Sequence, residues 1–221
     1  AGALDLPRPT AHGIVRTLHA LGLVDQHPET ARYLLGDGLQ RLHRGLDGHD
    51  LRAAAMNWAD ALAGSTGLAV VLGVSDRGAV RLVHHVFRPD GSAQQVNTGQ
   101  TRPLHATAVG KGLLAFAPTA TPPVRELDLA RWTGRTCTEA AVLDEHLAVA
   151  RQRGWASSMG EYTSGVGGAA APVRSGGGLV VGAIGVVGPV EELFGRGERL
   201  RPPLADELLA TADAVGHGVS A

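Results

Sequence analysis

The chain is expected to be an α+β protein in two parts, a small helix-and-hairpin head joined by a helix to a larger region built on an antiparallel sheet. Three observations lead there. Apolar residues recur at helical spacing near the start and again over residues 51–62, two strong strand–turn–strand patterns lie beyond residue 65, and helical segments separate those patterns. Antiparallel strand pairs set apart from helices are the mark of an α+β or mixed sheet domain.

Composition sets the outer limits. The 221 residues can hold one large domain or a small one plus a medium one, and 44% hydrophobic with 19% charged residues is ordinary for a globular protein. No apolar run approaches the ~20 residues that span a bilayer, and the start lacks the basic stretch and apolar core of a signal peptide, so no membrane partner is expected. The single cysteine, Cys137, cannot close an internal disulfide, which points to the reducing cytoplasm. A net charge of −1 leaves no basic footprint of the kind nucleic-acid binding usually produces.

Ala11, Ile14, Leu18 and Leu21 line one face of a first helix, opposite Arg8, His12, Arg16 and His19. Pro7 and Pro9 suit its first turn and Gly22 its C-cap, while Gly13 inside it costs ~1 kcal/mol relative to alanine. Leu23–Gln26 and Arg32–Leu35 flank the turn residues His27 to Thr30, a hairpin directly after a helix. Residues 38–63 read as helical, with a stripe of Leu51, Ala55, Trp58 and Leu62, and Gly64 marks the boundary. Beyond it, LAVVLGVS, the turn Asp76-Arg77-Gly78 and AVRLVHHVF form one hairpin. GGAAAPV, the turn Gly176 to Gly178 and LVVGAIGVV form another. Thr107 to Ala117, Asp144 to Arg153 and Pro202 to His217 complete the helices.

Two phosphate motifs are suggested and fail. HATAVGKG has His105 and Gly112 where a P-loop needs glycine and a hydroxyl residue, and GVGGAA from Gly165 runs into Pro172 instead of a helix. Thr107 to Val109 opens a helix, where free N–H groups and the dipole attract a carboxylate. His84 and His85, adjacent on a strand, point to opposite faces and cannot share a metal. No cofactor or metal is expected. Lys111 reads as a solvated helical residue, Glu161 as a structural acid in a loop over the sheet, and Trp58 and Trp155 as core or interface.

Five segments in order resemble the IclR family of bacterial transcription regulators: LPRPTAHGIVRTLHALGLV, RYLLGDGL, PLHATAVGKGLLAFAP, ARQRGWASSMGEYTSGVGGAAAPV and AIGVVGP. The resemblance implies a winged helix-turn-helix over residues 1–37, a linker helix used in dimerisation over 38–64, and a GAF-like effector-binding domain over 65–221. In the family a helix and most of another precede the point where this chain begins, without methionine, so the first helix of the DNA-binding domain is expected to be absent here. Gly13 stands where the family often has arginine.

On that resemblance Arg8, Thr10, His12 and Arg16 face DNA from the recognition helix and Arg32 reaches phosphate from the wing. Arg8 is assigned to a base edge and Arg16 to the backbone, because N-terminal residues of such a helix enter the groove first. A solvated polar face is the plain alternative for the helix taken alone. The positions that line the family's effector pocket correspond to Ala108, Val109, Met159, Gly168, Gly185 and Val187. Glycine or an apolar residue at each implies a roomier, greasier pocket for a carboxylate or a bulkier apolar metabolite, unless the glycines serve only tight sheet packing. The expectation is an operator-binding regulator, repressor over activator, working as a homodimer or dimer of dimers. The alternatives are a small-molecule sensor with a degenerate DNA-binding domain, and an enzyme using Cys137, which no neighbouring motif supports.

Overall fold

The computed structural model describes residues 7–21, 23–26, 33–35, 48–195 and 199–219. The chain divides into two compact units, Ala1–Asp47 and Gly48–Ala221.

In the first unit, helix α1 (Arg8–Ala20) starts after Pro7 with a further proline in its first turn, where a missing N–H costs nothing. Strands β1 (Val24–Gln26) and β2 (Tyr33–Leu35) follow and pair antiparallel, Val24 opposite Leu35. Helix followed by hairpin is the order expected. The stripe differs: Ala11, Val15 and Leu18 are half-buried, while Ile14 and Leu21 are 47% and 62% exposed. Both sets satisfy helical spacing, and the packing selects the one that includes Val15.

The second unit begins with α2 (His49–Thr66), which ends at Gly67 in the left-handed region, φ 70°, a conformation glycine adopts without penalty. The expected linker helix is thus, over these residues, part of the second unit, and residues 38–47 lie outside the described ones. Leu51, Ala55 and Leu62 are buried with Ala59 and Ala63, whereas Trp58 is 48% exposed. Small alanines let the helix lie close to the sheet; an indole at that spot would hold it off.

Strands β3 (Ala69–Asp76) and β4 (Ala79–Val86) form the first hairpin. Its two-residue turn puts Arg77 at φ 48° and Gly78 at φ 81°, the mirror-image turn that matches strand twist. Then come β5 (Thr101–Arg102), α3 (Ala108–Phe116), α4 (Ala140–Arg153), β6 (Ala156–Met159), β7 (Val166–Arg174), β8 (Val180–Pro189), the single turn α5 (Val190–Leu193) and α6 (Leu204–Gly218). The six strands make one antiparallel sheet in the order β5-β4-β3-β8-β7-β6.

Both faces of this sheet are covered, which is why its central strands are apolar almost throughout. On one face α2 and α6 pack over Val70, Leu72, Ala169, Ala171, Ile184 and Val186. On the other, α3 and α4 pack over Val71, Val80, Leu82, Ala170 and Ala183. The alternation of neighbours between the two cores follows from the period of 2 along a strand. Gly112 of α3 faces Ala170 and Ala183 of the sheet, and Gly110 lies directly against the backbone of Leu104, in the segment between β5 and α3, where a Cβ would overlap it.

Candidate functional site

The α3 face of the sheet is not fully closed. A cavity of about 120 Å³ lies between the N-terminus of α3, strands β3, β4, β7 and β8, and the turn after β6. Its floor is apolar, made by Val71, Val80, Leu82, Val109 and Val187, and Asn97, Arg102, Tyr162 and Thr163 stand at a more exposed rim.

Local chemistry sets each wall. Thr107 caps α3: its hydroxyl oxygen accepts from the Gly110 N–H at 3.1 Å and donates to the Pro103 carbonyl at 2.9 Å. The cap takes the third N–H of the helix and leaves those of Ala108 and Val109 at the cavity, with the positive end of the dipole. Gly168 opens the floor, since a Cβ there would come within 3.2 Å of both Ala108 Cβ and the Val186 carbonyl oxygen. Ser158, below the helix start, is occupied in donating to the Ala106 carbonyl at 2.8 Å.

Arg102 is the cation of the rim. Its Nη2 donates to Asn97 Oδ1 at 2.7 Å and Gln100 Oε1 at 2.6 Å, and Nη1 to the Thr101 carbonyl at 2.9 Å. These acceptors are all neutral. The guanidinium lies 5.4 Å from the centre of the Tyr162 ring, whose other neighbour is Trp132 at 4.9 Å between centroids. His85 accepts from the Asn97 N–H at 3.4 Å. Burial first, and then the charges of His84 and Arg102, hold it below the ordinary imidazole range, so it stays neutral beside the arginine.

Of the expected effector positions, Ala108, Val109, Gly168 and Val187 come together around this cavity. Two do not line it. Met159 pairs opposite Gly167 and packs with the core under α2 and α6, because the strand's alternation turns Ser158, not Met159, toward α3. Gly185 lies on the correct face but is closed over: a Cβ would stand 2.8 Å from the Ala169 carbonyl oxygen and 2.9 Å from Ala170 Cβ. Two valines stand near these glycines: Val187 Cγ2 would lie 3.8 Å from a Cβ on Gly168, and Val109 Cγ2 3.2 Å from one on Gly185. Arg102, Asn97, Tyr162 and Thr163 went unnoticed in the sequence; the neighbouring PLHATAVG segment was the one local signal near Arg102.

Lys111 is not solvated; it is 2% exposed and ion-paired with Glu161 at 2.6 Å. Glu161 is itself buried, its carboxylate taken up by Lys111 and by the Met159 N–H at 3.4 Å. Cys137 is buried, with Sγ 3.5 Å from the Glu139 carbonyl oxygen. Trp155 is core, with the Arg153 guanidinium 3.5 Å above its ring; burial lowers the Arg153 pKa to about 10. Among the described residues no helix is long and apolar enough to cross a membrane.

On α1, Thr10, His12 and Arg16 are exposed. The side chain of Arg8, and Arg32 altogether, lie outside the described residues. At 3.6 residues per turn, Gly13, Arg16 and Thr17 stand opposite the half-buried Ala11, Val15 and Leu18, with Thr10 and His12 at the flanks. The centre of the exposed face is therefore Gly13, around which nothing lies within 4 Å of a Cβ position.

Residues 43–217 match the family described as "Bacterial transcriptional regulator IclR C-terminal" and residues 1–28 the "IclR helix-turn-helix domain". The glycerol operon regulatory protein of Streptomyces griseus is 50% identical over 194 residues, covering 87% of this chain and 76% of that protein. That of Streptomyces coelicolor is 43% identical, covering 100% of this chain and 87% of that protein. Among solved structures, the fold is shared with the IclR of Thermotoga maritima (TM-score 0.68, 22% identity, 98% and 87% of the two chains). It is also shared with an IclR homologue of Microbacterium hydrocarbonoxydans complexed with 4-hydroxybenzoate (TM-score 0.67, 25% identity, 97% and 86%). A helix-and-hairpin head, a two-faced antiparallel sheet with a cavity at a helix start, and these matches over nearly the whole length place the chain in the IclR family, as a DNA-binding transcription regulator with a C-terminal effector domain and not an enzyme.

Proposed function

We propose that this regulator represses an operon for glycerol use and is released from its operator by a small glycerol-derived effector. The observation that carries this is the 50% identity to a glycerol operon regulatory protein across 87% of the chain. The cavity is of fitting size for the triol: a 150 Å³ protein cavity accommodates benzene, with six heavy atoms, and glycerol also has six, so a phosphate on it would stand at the open rim. Arg102, whose hydrogen-bond acceptors among the described residues are neutral, and the α3 N-terminus favour an anionic group at the rim, so a phosphate monoester of the triol suits the site better than the triol itself.

Ala108, Val109, Gly168 and Val187 are the proposed floor contacts, Thr10, His12 and Arg16 the proposed DNA contacts, joined by Arg8 and Arg32 on the family resemblance. A homodimer or dimer of dimers in the cytoplasm, reading an operator with two-fold symmetry, is the proposed working form. The exposed Met56 and Trp58 of α2 support a second copy covering that helix. The test is a gel-shift titration with DNA from upstream of the glycerol genes: release by glycerol 3-phosphate or glycerol, and not by 4-hydroxybenzoate, is the expected result. Failure to shift that DNA, with retention of an unrelated promoter, overturns it.

A further inference from the structure

Lys111 is among the largest fully buried side chains of the protein. Its Nζ donates to both carboxylate oxygens of Glu161, at 2.7 and 2.6 Å, and to His146 Nδ1 at 3.1 Å. An ammonium can only donate, so His146 is the neutral tautomer with its proton on Nε2. The pair joins the middle of α3 to a turn 50 residues away in sequence.

That turn is more than a connection. Tyr162 and Thr163, the next two residues, line the cavity, as does Ala108 one helical turn before Lys111. The turn is gripped from its other side as well: Thr136 Oγ1 donates to the Glu161 carbonyl at 2.6 Å and Thr133 Oγ1 to the Gly160 carbonyl at 2.6 Å. Glu161 Oε1 also accepts from the Met159 N–H at 3.4 Å. A buried ion pair is a weak source of stability, because desolvation offsets the attraction and a well-packed apolar pair does as well or better. What an ion pair with both carboxylate oxygens bonded adds is direction. The geometry points to Lys111 and Glu161 as positioning residues of the effector site, holding the Gly160–Thr163 turn against α3 and thereby setting how tightly the cavity grips its ligand. This rests on the cavity being the effector site.

The experiment compares, in the full chain, Glu161→Gln, the paired Lys111→Met/Glu161→Met, and Val187→Phe, which fills the cavity floor. Glycerol 3-phosphate is the probe. Melting temperature, amide exchange over residues 160–166 and probe affinity by calorimetry are measured together. Glu161→Gln leaves a buried ammonium without a counter-charge and lowers the melting temperature. The paired variant restores it, yet exchanges faster over 160–166 and binds the probe at least tenfold more weakly. A paired variant with wild-type exchange and affinity overturns the positioning role, while a Val187→Phe control that has lost the probe leaves the cavity reading intact. Probe binding that survives Val187→Phe, or a wild-type protein that does not bind the probe, overturns the cavity reading and the positioning role with it.

Discussion

Replacing Arg102 with methionine removes the cationic group of the rim while keeping the length and apolar stem of the side chain. In the free protein the cost is small. Asn97 Oδ1 and Gln100 Oε1 lose a donor, but both lie where water can replace it, so stability should change by no more than about 1 kcal/mol. In the complex with an anion the loss is larger. A hydrogen bond to a charged group contributes about 1.5–3 kcal/mol, and tenfold in affinity is about 1.4 kcal/mol, so glycerol 3-phosphate should bind ~10- to 150-fold more weakly. Neutral glycerol should change by less than about threefold, since it offers no charge to pair. Calorimetry with both ligands on both proteins reads the difference directly. Raising the salt from 0.15 to 0.5 M should narrow the gap, because the rim is partly exposed and screened. Equal losses for the charged and neutral ligands, or no loss for either, refute the reasoning.

Gly185→Ala should lower stability by about 1–3 kcal/mol through overpacking against Ala169 and Ala170; denaturant unfolding with unchanged stability would show that the sheet has slack there. Gly13→Ala should stabilise α1 by about 1 kcal/mol, because its surroundings are open. Gly13→Arg should tighten binding to any DNA sequence and steepen its salt dependence by about one counterion, measured by titration at two salt concentrations. Burial is the first cause that holds His84, His85 and His146 below the ordinary imidazole range. The unfolded chain therefore takes up more protons as pH falls below about 6.5, and their contribution is intact above that pH and lost below it. The melting temperature should fall from pH 7.5 to pH 5.5, less so in His84→Asn and His146→Gln.

The elements legible in the sequence are those whose signal is local. The β3–β4 hairpin carries its turn in Arg77-Gly78, α3 carries its cap in Thr107, and the order of helix then hairpin in the first unit needs only spacing and turn residues. The short edge strands β5 and β6, and the first turn of α4, escaped because two to four residues hold too little period to be recognised. At the cavity, Ala108, Val109, Gly168 and Val187 were reachable through the family resemblance. Met159 was not separable from Ser158, since a shift of one residue along a strand moves a side chain to the other face.

Local periodicity and turn chemistry thus determined which stretches become helices and hairpins, and the ordered segments determined the family. Tertiary structure alone decided which neighbours each stretch would meet. Helical spacing permits either Trp58 or Ala59 on the buried stripe of α2, and the close approach to the sheet admits only the alanine. Nothing near Lys111 in sequence marks it as buried; its counter-charge, Glu161, arrives from 50 residues away. Arg102 and Tyr162 meet at the cavity rim only because β5 and the turn after β6 converge on one face of the sheet. Contacts between residues distant in sequence depend on how the layers pack, and packing is a property of the whole chain that no local pattern encodes.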